Sequence, residues 1–331
     1  MIKNKMENAV EIKNLTKNFK TKHKEAGFRG SLKSLFKPVV KETKAVSNIS
    51  FNIAKGEIVG FIGPNGAGKS TTIKILSGIL FPDSGQVKVL GMVPWEQRKK
   101  LAFRIGCVFG QKPQLWYHLP AIDTFNLFSK IYELDEKEYQ ERLNYLVNLF
   151  EIREFLDVPV RKLSLGQRMR CEIVASILHR PEVLFLDEPT IGLDIVAKQK
   201  IRELILELNK KENLTILLTS HDTQDIERLC KRIIIINHGQ LVYDNSLEKL
   251  EKTYLKNKVV SIKFTSEFKG LSLEGLKTIK SDKYSADFEV STSVLSIQKF
   301  IDGLIKKYEI ADMDIAGTPI EEVITKIYRE K

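Results

Sequence analysis

Residues 57–77 read EIVGFIGPNGAGKSTTIKILS. The run from Glu57 to Ile62 is short and apolar, as a buried strand is, and Thr72 to Ser77 places its apolar residues at helical spacing. Between them Gly63, Pro64, Asn65, Gly66, Ala67, Gly68, Lys69, Ser70 and Thr71 match G-x-x-x-x-G-K-[ST] in the strand–loop–helix setting that this motif requires. The residue types predict a phosphate cradle. Glycines at 63, 66 and 68 let successive N–H groups face one concave side. The helix that starts there adds its positive end. Lys69 can reach β- and γ-phosphates, Ser70 can ligate Mg²⁺, and Thr71 is placed to touch an α-phosphate. A plain glycine turn is the alternative, and Lys and Ser in register with both flanks weigh against it.

The rest of the composition bounds the answer. The chain has 331 residues, 43 % apolar and 29 % charged, as in a soluble globular protein of one large and one small domain, or of two medium ones. No window approaches the ~20 apolar residues of a membrane span. The start carries no signal-peptide core, so the expected compartment is the cytosol. Cys107, Cys171 and Cys230 are scattered, odd in number and lack metal-ligand spacing, which fits buried thiols in a reducing compartment. A net charge of +11 suits nucleic acid or an anionic membrane face, and equally a lysine-rich solvated surface. No repeat or low-complexity tract is visible.

Read in order, residues 9–15 alternate as a half-buried strand, and Phe19 follows as either a core aromatic or an adenine platform. Residues 21–43 form a long basic connection in which Leu32, Leu35 and Phe36 sit at helical spacing. It reads as a short amphipathic helix for a membrane or partner, or as a solvated loop. Strands are expected at 45–53, 86–90 and 104–109, and helices over much of 115–156. A helix over 168–180 is stopped by Pro181. Residues 183–186 are a continuous apolar strand that delivers Asp187 and Glu188, and residues 214–219 another that delivers Ser220 and His221. A hairpin turns at His238 and Gly239. After about residue 250 the composition shifts to a small α+β appendage with strands near 259–264, 285–290 and 309–315, an apolar helical stripe from Ile297 to Tyr308, and a final helix opened by a capping box at Thr318 and Glu321.

Open α/β sheets place ligands at strand C-termini, where Asp187 can hold Mg²⁺ and Glu188 can deprotonate a water. Gln111 can reach the metal or that water, and His221 the γ-phosphate or the water. Leu163, Ser164, Leu165, Gly166 and Gln167 form a second phosphate-binding helix start, which a head-to-tail partner would complete.

These residues together resemble the ATP-binding subunit of an ABC transporter over residues 9–250. The motifs are the Walker A loop at 63–71, the Q-loop Gln111, the signature at 163–167, the Walker B strand at 183–188, the D-loop with Asp194 and the switch His221. The resemblance implies a P-loop NTPase α/β core with an antiparallel β-subdomain and an α-helical subdomain at 115–165, followed by a small α+β domain at 251–331. It implies ATP and Mg²⁺ as cofactors, with Ser70, Gln111 and Asp187 at the metal. Glu188, His221 and Gln111 would be catalytic, with Phe19 stacked on adenine. Ser164, Gly166, Gln167 and Asp194 would contact nucleotide from the other copy. Leu165 departs from the usual glycine of the signature, as in ABC-2 type exporters, and the tail and the 110–116 segment are similar to that group. The implied partners are a second copy, or a homologous ATPase subunit, in a head-to-tail dimer and a separate membrane permease, received by residues 111–127 including Trp116 and Tyr117. The implied place is the cytoplasmic face of the membrane, peripherally bound. An importer energiser, and an ABC ATPase acting on ribosomes or DNA, are the competing readings. A single Walker A and the lack of a long coiled coil argue against nucleic acid.

Overall fold

The computed structural model describes residues 7–23, 39–110, 112–254, 257–317 and 320–330. It divides into two compact units, Met1–Asp244 and Asn245–Lys331. In chain order the elements up to the end of the first unit are β1 (Asn8–His23), β2 (Val39–Ala54), β3 (Ile58–Ile62), α1 (Lys69–Leu76), β4 (Ser84–Val89), α2 (Arg98–Ala102), β5 (Ile105–Phe109), α3 (Ala121–Ile131), α4 (Glu136–Leu149), α5 (Leu165–Ile177), β6 (Val183–Asp187), α6 (Ile195–Glu212), β7 (Thr215–Thr219), α7 (Thr223–Leu229), β8 (Arg232–Asn237) and β9 (Gln240–Ser246).

A six-stranded sheet in the order β5-β6-β7-β3-β8-β9 carries the site. β3 pairs in parallel with β7 and β8, and β6 with β5 and β7. Every residue of β3 and β7 is buried, and every residue of β6 except Asp187. That is the packing the continuous apolar runs demand, since alternate side chains point to opposite faces and both faces are covered. Parallel alignment brings the C-terminal ends of β3, β6 and β7 together, and with them the cradle, Asp187 and Ser220.

A second, antiparallel sheet has the order β2-β1-β4. Its inward alternation at Val10, Ile12, Val46, Ile49, Phe51, Ile53, Val87 and Val89 joins one core with Val59, Phe61, Ile73, Ile75 and Leu76. Here the structure corrects the long connection at 21–43. β1 and β2 continue as a hairpin ladder out to His23 paired with Val39. The extension was illegible because it buries no side chain among its described positions: Lys20, Glu42, Thr43 and Lys44 are exposed, so no apolar period marks it. The expected amphipathic helix at Leu32, Leu35 and Phe36 lies outside the described residues.

The expected helical stretch resolves into α3 and α4, and α4 is capped by Asp135, whose carboxylate accepts from the N–H groups of Lys137 and Glu138. The second unit follows with α8 (Leu247–Tyr254), β10 (Asn257–Phe264), β11 (Leu276–Asp282), β12 (Ser285–Ser291), α9 (Ile297–Ile305), β13 (Ile310–Gly317) and α10 (Ile320–Glu330). Its antiparallel sheet runs β11-β12-β10-β13 over a core of Val260, Ile262, Phe288, Val290, Phe300 and Leu304. β11 is an edge strand with only Leu276 partly buried, and its polar sequence hid it from a reading by hydropathy. The capping residue expected at Thr318 lies outside the described residues. Among the described residues no helix is long and apolar enough to cross a membrane.

Candidate nucleotide site

The cradle is shaped by two positive-φ glycines and two close approaches. Gly66 and Gly68 have φ of 81° and 110°, in the left-handed region that side chains disfavour. A Cβ on Gly68 would lie 2.3 Å from the Ala45 carbonyl, and one on Gly63 2.3 Å from the Ile236 carbonyl. The turn between β8 and β9 braces the loop, since Gly239 N–H donates to the Ala67 carbonyl at 3.1 Å while its own carbonyl accepts from Ser47 N–H at 2.7 Å. Lys69 opens α1 and is only 6 % exposed. Its Nζ donates to the carbonyls of Gly63 at 2.6 Å and Pro64 at 3.2 Å. Burial pulls its pKa down, and the nearby Glu188 and Asp187 charges pull it back up. A buried ammonium at the start of a helix is a site that an anion would complete.

The ends of β6 and β7 meet the cradle across a cleft of about 390 Å³ lined by Asn65, Ser70, Lys74, Lys112, Glu188 and His221, with Asp187 at its wall. Thr219 lies opposite Asp187 in the parallel register. Its hydroxyl donates to Asp187 Oδ1 at 2.7 Å and accepts the Glu188 N–H at 3.0 Å. Glu188 has φ of 57°, a strained conformation for a side-chain residue, costing roughly 1–2 kcal/mol. His221 Nε2 is 2.7 Å from Glu188 Oε1. Ser70 and Asp187 are the oxygen donors that would hold Mg²⁺. No set of three or more His, Cys, Asp or Glu side chains forms a metal cage among the described residues. That sparse donor set suits Mg²⁺, which keeps waters and phosphate oxygens as its other ligands.

Ser164, Gly166, Gln167 and Asp194 line a different cleft, of about 540 Å³, with Arg170, Ala197 and Lys200. Ser164 caps α5: its Oγ accepts the Gln167 N–H at 3.2 Å and Gln167 Oε1 accepts the Ser164 N–H at 2.9 Å. Asp194 caps α6 by accepting from Ala197 N–H at 2.8 Å. A Cβ on Gly166 would stand 2.9 Å from that of Ala197, so the two helix starts pack at glycine distance. Leu165 lies against Gly192, where a Cβ would be 3.1 Å from it.

The chain therefore brings Asn65 and Ser70 of the 63–71 loop together with Asp187, Glu188 and His221, and sets Ser164, Gly166, Gln167 and Asp194 around another surface. Phe19 stands on β1 opposite Thr43, with Lys17 Nζ 5.6 Å from its ring centre, and does not line the phosphate cleft. Gln111 lies outside the described residues; Gly110 before it donates to the Asp187 carbonyl at 2.9 Å. Sequence reasoning passed over Lys74, Lys112 and Thr219. The only signal for Thr219 was a polar residue ending an apolar strand beside Ser220.

The ABC transporter family profile matches residues 46–191. The chain is similar to the ABC transporter ATP-binding protein NatA of Bacillus subtilis, 35 % identical over 65 % of this chain and 87 % of that protein. It is also similar to the bacitracin transport ATP-binding protein BcrA of Bacillus licheniformis, 36 % identical over 63 % of this chain and 67 % of that one. Among solved structures, a dimeric ATP-binding cassette in a post-hydrolysis state bound to ADP and Pi superposes with a TM-score of 0.58 at 26 % identity, over 72 % of this chain and 98 % of that one.

Proposed function

The chain belongs to the ABC transporter ATP-binding family, and from that premise we propose that it is the ATP-hydrolysing subunit of an exporter whose membrane permease is a separate chain. The observation that carries the hydrolytic part is the Glu188–His221 pair at 2.7 Å, at the rim of a cleft walled by the cradle and Asp187.

The roles follow from chemistry. The cradle N–H groups and Lys69 bind the phosphates. Ser70 and Asp187 would hold Mg²⁺, which would supply positive charge to the phosphate oxygens. Glu188 accepts the proton of the attacking water, and its strained backbone aims the carboxylate into the cleft. His221 Nε2 orients that carboxylate. Phe19 packs on adenine, and Gln111 senses the attacking water and the phosphate. Ser164, Gly166, Gln167 and Asp194, set apart from the cradle of their own chain, cap the nucleotide held by a second copy. Closure of the pair is then transmitted to the permease at the cytoplasmic face of the membrane.

The export reading is supported by relatives such as the one named for bacitracin transport. Exposed Trp116 and Tyr117 offer an apolar surface to the permease.

Glu188→Gln is the test. It should bind ATP and dimerise while turnover falls at least about 100-fold. Turnover at the wild-type rate would overturn the assignment. Membrane proteins that copurify in detergent would identify the permease, and recovery of ribosomes or DNA instead would overturn the transport reading.

A further inference from the structure

A buried cluster behind the cleft ties together the two loops that carry Glu188 and His221. Asp225 on α7 is fully buried, and Arg202 on α6 is 3 % exposed. Arg202 Nε donates to Asp225 Oδ1 at 2.6 Å. The other oxygen, Oδ2, accepts from Ser220 Oγ at 2.5 Å and from Thr190 Oγ1. Ser220 directly precedes His221, and Thr190 follows Glu188 by two positions. One carboxylate oxygen thus bridges both loops.

The surroundings leave it little room to shift. Thr190 is 2 % exposed and Ser220 5 %. Ser220 Oγ also accepts the Asp222 N–H at 3.0 Å, and Asp222 takes Lys198 Nζ at 2.7 Å and an Arg202 nitrogen at 3.3 Å. Each hydroxyl has one proton to give, and both give it to Asp225. Charge-assisted bonds among buried groups are short and stiff. As a source of stability a buried ion pair gains little over an apolar replacement. Its value lies in geometry.

We propose that Asp225 is a positioning residue for hydrolysis: through Thr190 and Ser220 it sets the separation of Glu188 and His221, and through Arg202 it links that setting to α6, whose first turn is capped by Asp194. The inference rests on the reading that the Glu188–His221 pair performs the hydrolysis. It adds that the pair is held from behind by a group that never touches nucleotide. Because α6 begins at the residue facing the second copy in that reading, movement there reaches the pair through Arg202.

Thr190→Val tests this without disturbing the ion pair, since it keeps the side-chain shape and deletes one donor. In the full chain, at concentrations where its ATPase activity has saturated, kcat should fall about tenfold, the cost of a misplaced reacting group. KM for ATP should stay within about twofold, because the cradle is untouched. Thr190→Ser, which restores the hydroxyl, should return kcat to the wild-type range. Ser220→Ala should repeat the kcat loss from the other loop, and it carries the test if Thr190→Val does not fold. An unchanged kcat in the folded variants, or a loss that serine at 190 fails to rescue, overturns the proposal. No hydrolysis by the unaltered chain overturns the functional reading itself, a separate outcome visible before any variant is made.

Discussion

Arg142 on α4 grips Glu212 at the far end of α6 with two parallel hydrogen bonds, of 2.6 and 2.9 Å, and its second terminal nitrogen also reaches the Ile177 carbonyl at the end of α5. One guanidinium thereby joins three helices that are remote in sequence. The Arg142 side chain is 6 % exposed and that of Glu212 21 %. Tyr145 lies 5.5 Å from the Arg142 guanidinium.

Breaking that pair from one side should be costly. Arg142→Met leaves the Glu212 carboxylate half-buried without its partner, and the expected loss is about 3 kcal/mol in urea unfolding. Adding Glu212→Gln should recover part of it, since the stranded charge is gone. A single-variant loss under about 1 kcal/mol would contradict the burial argument.

His179 should make stability fall in mild acid. It is buried, its ring stacks on Tyr132 at 3.8 Å, Nε2 bonds the Ile105 carbonyl at 3.0 Å, and Nδ1 has no partner. Burial lowers its pKa from 6.5 to about 4, against the opposing pull of the Ile105 bond. Between those values the unfolded chain binds a proton that the folded one does not, so this contribution is intact above pH 6.5 and is lost as pH falls toward 4. From pH 7.5 to 5 the loss is about 2 kcal/mol. His179→Gln should show a smaller drop over the same range; equal slopes in the two proteins would refute the claim.

Gly68→Ala should damage the cradle more than an ordinary glycine substitution. With φ at 110° and a Cβ 2.3 Å from the Ala45 carbonyl, the loop must shift as well as strain. The expected cost is about 2–3 kcal/mol in stability. ATP affinity should fall at least about tenfold, because the N–H groups of the loop lose their common direction. Calorimetry with a nonhydrolysable ATP analogue would read it, and wild-type affinity would show that the loop adapts.

Separation of the two clefts predicts that hydrolysis is a property of paired chains. Specific ATPase activity should rise with protein concentration and then level off. Ser164→Arg, which places bulk and charge at the start of α5 without touching the cradle, should stay at the low-concentration rate throughout. Activity independent of concentration would refute a shared site.

Much of this was legible because the instructions are local. The positive φ of Gly66 and Gly68 is a backbone demand local to their loop, and the apolar runs at 58–62, 183–186 and 215–219 read as strands covered on both faces. The hairpin arms beyond residue 20 and the edge strand β11 were not legible, because exposed strands carry no apolar period. Leu165 could be seen to replace a glycine, but its packing against Gly192 could not.

By itself the sequence determined the glycine loop between β3 and α1, the acid pair at the end of β6, the histidine after β7 and the change of composition near residue 250. Each is written in neighbouring residues, whose propensities act over a few bonds. Only the tertiary structure decided which partners those groups take. Thr219 reaches Asp187 because two parallel strands share a register. Asp225 collects Arg202, Ser220 and Thr190 from three segments. The signature residues face a cleft apart from the cradle. Residues so far apart in the chain meet only when the core has packed, and a carboxylate acquires its particular donors only once water has been excluded around it.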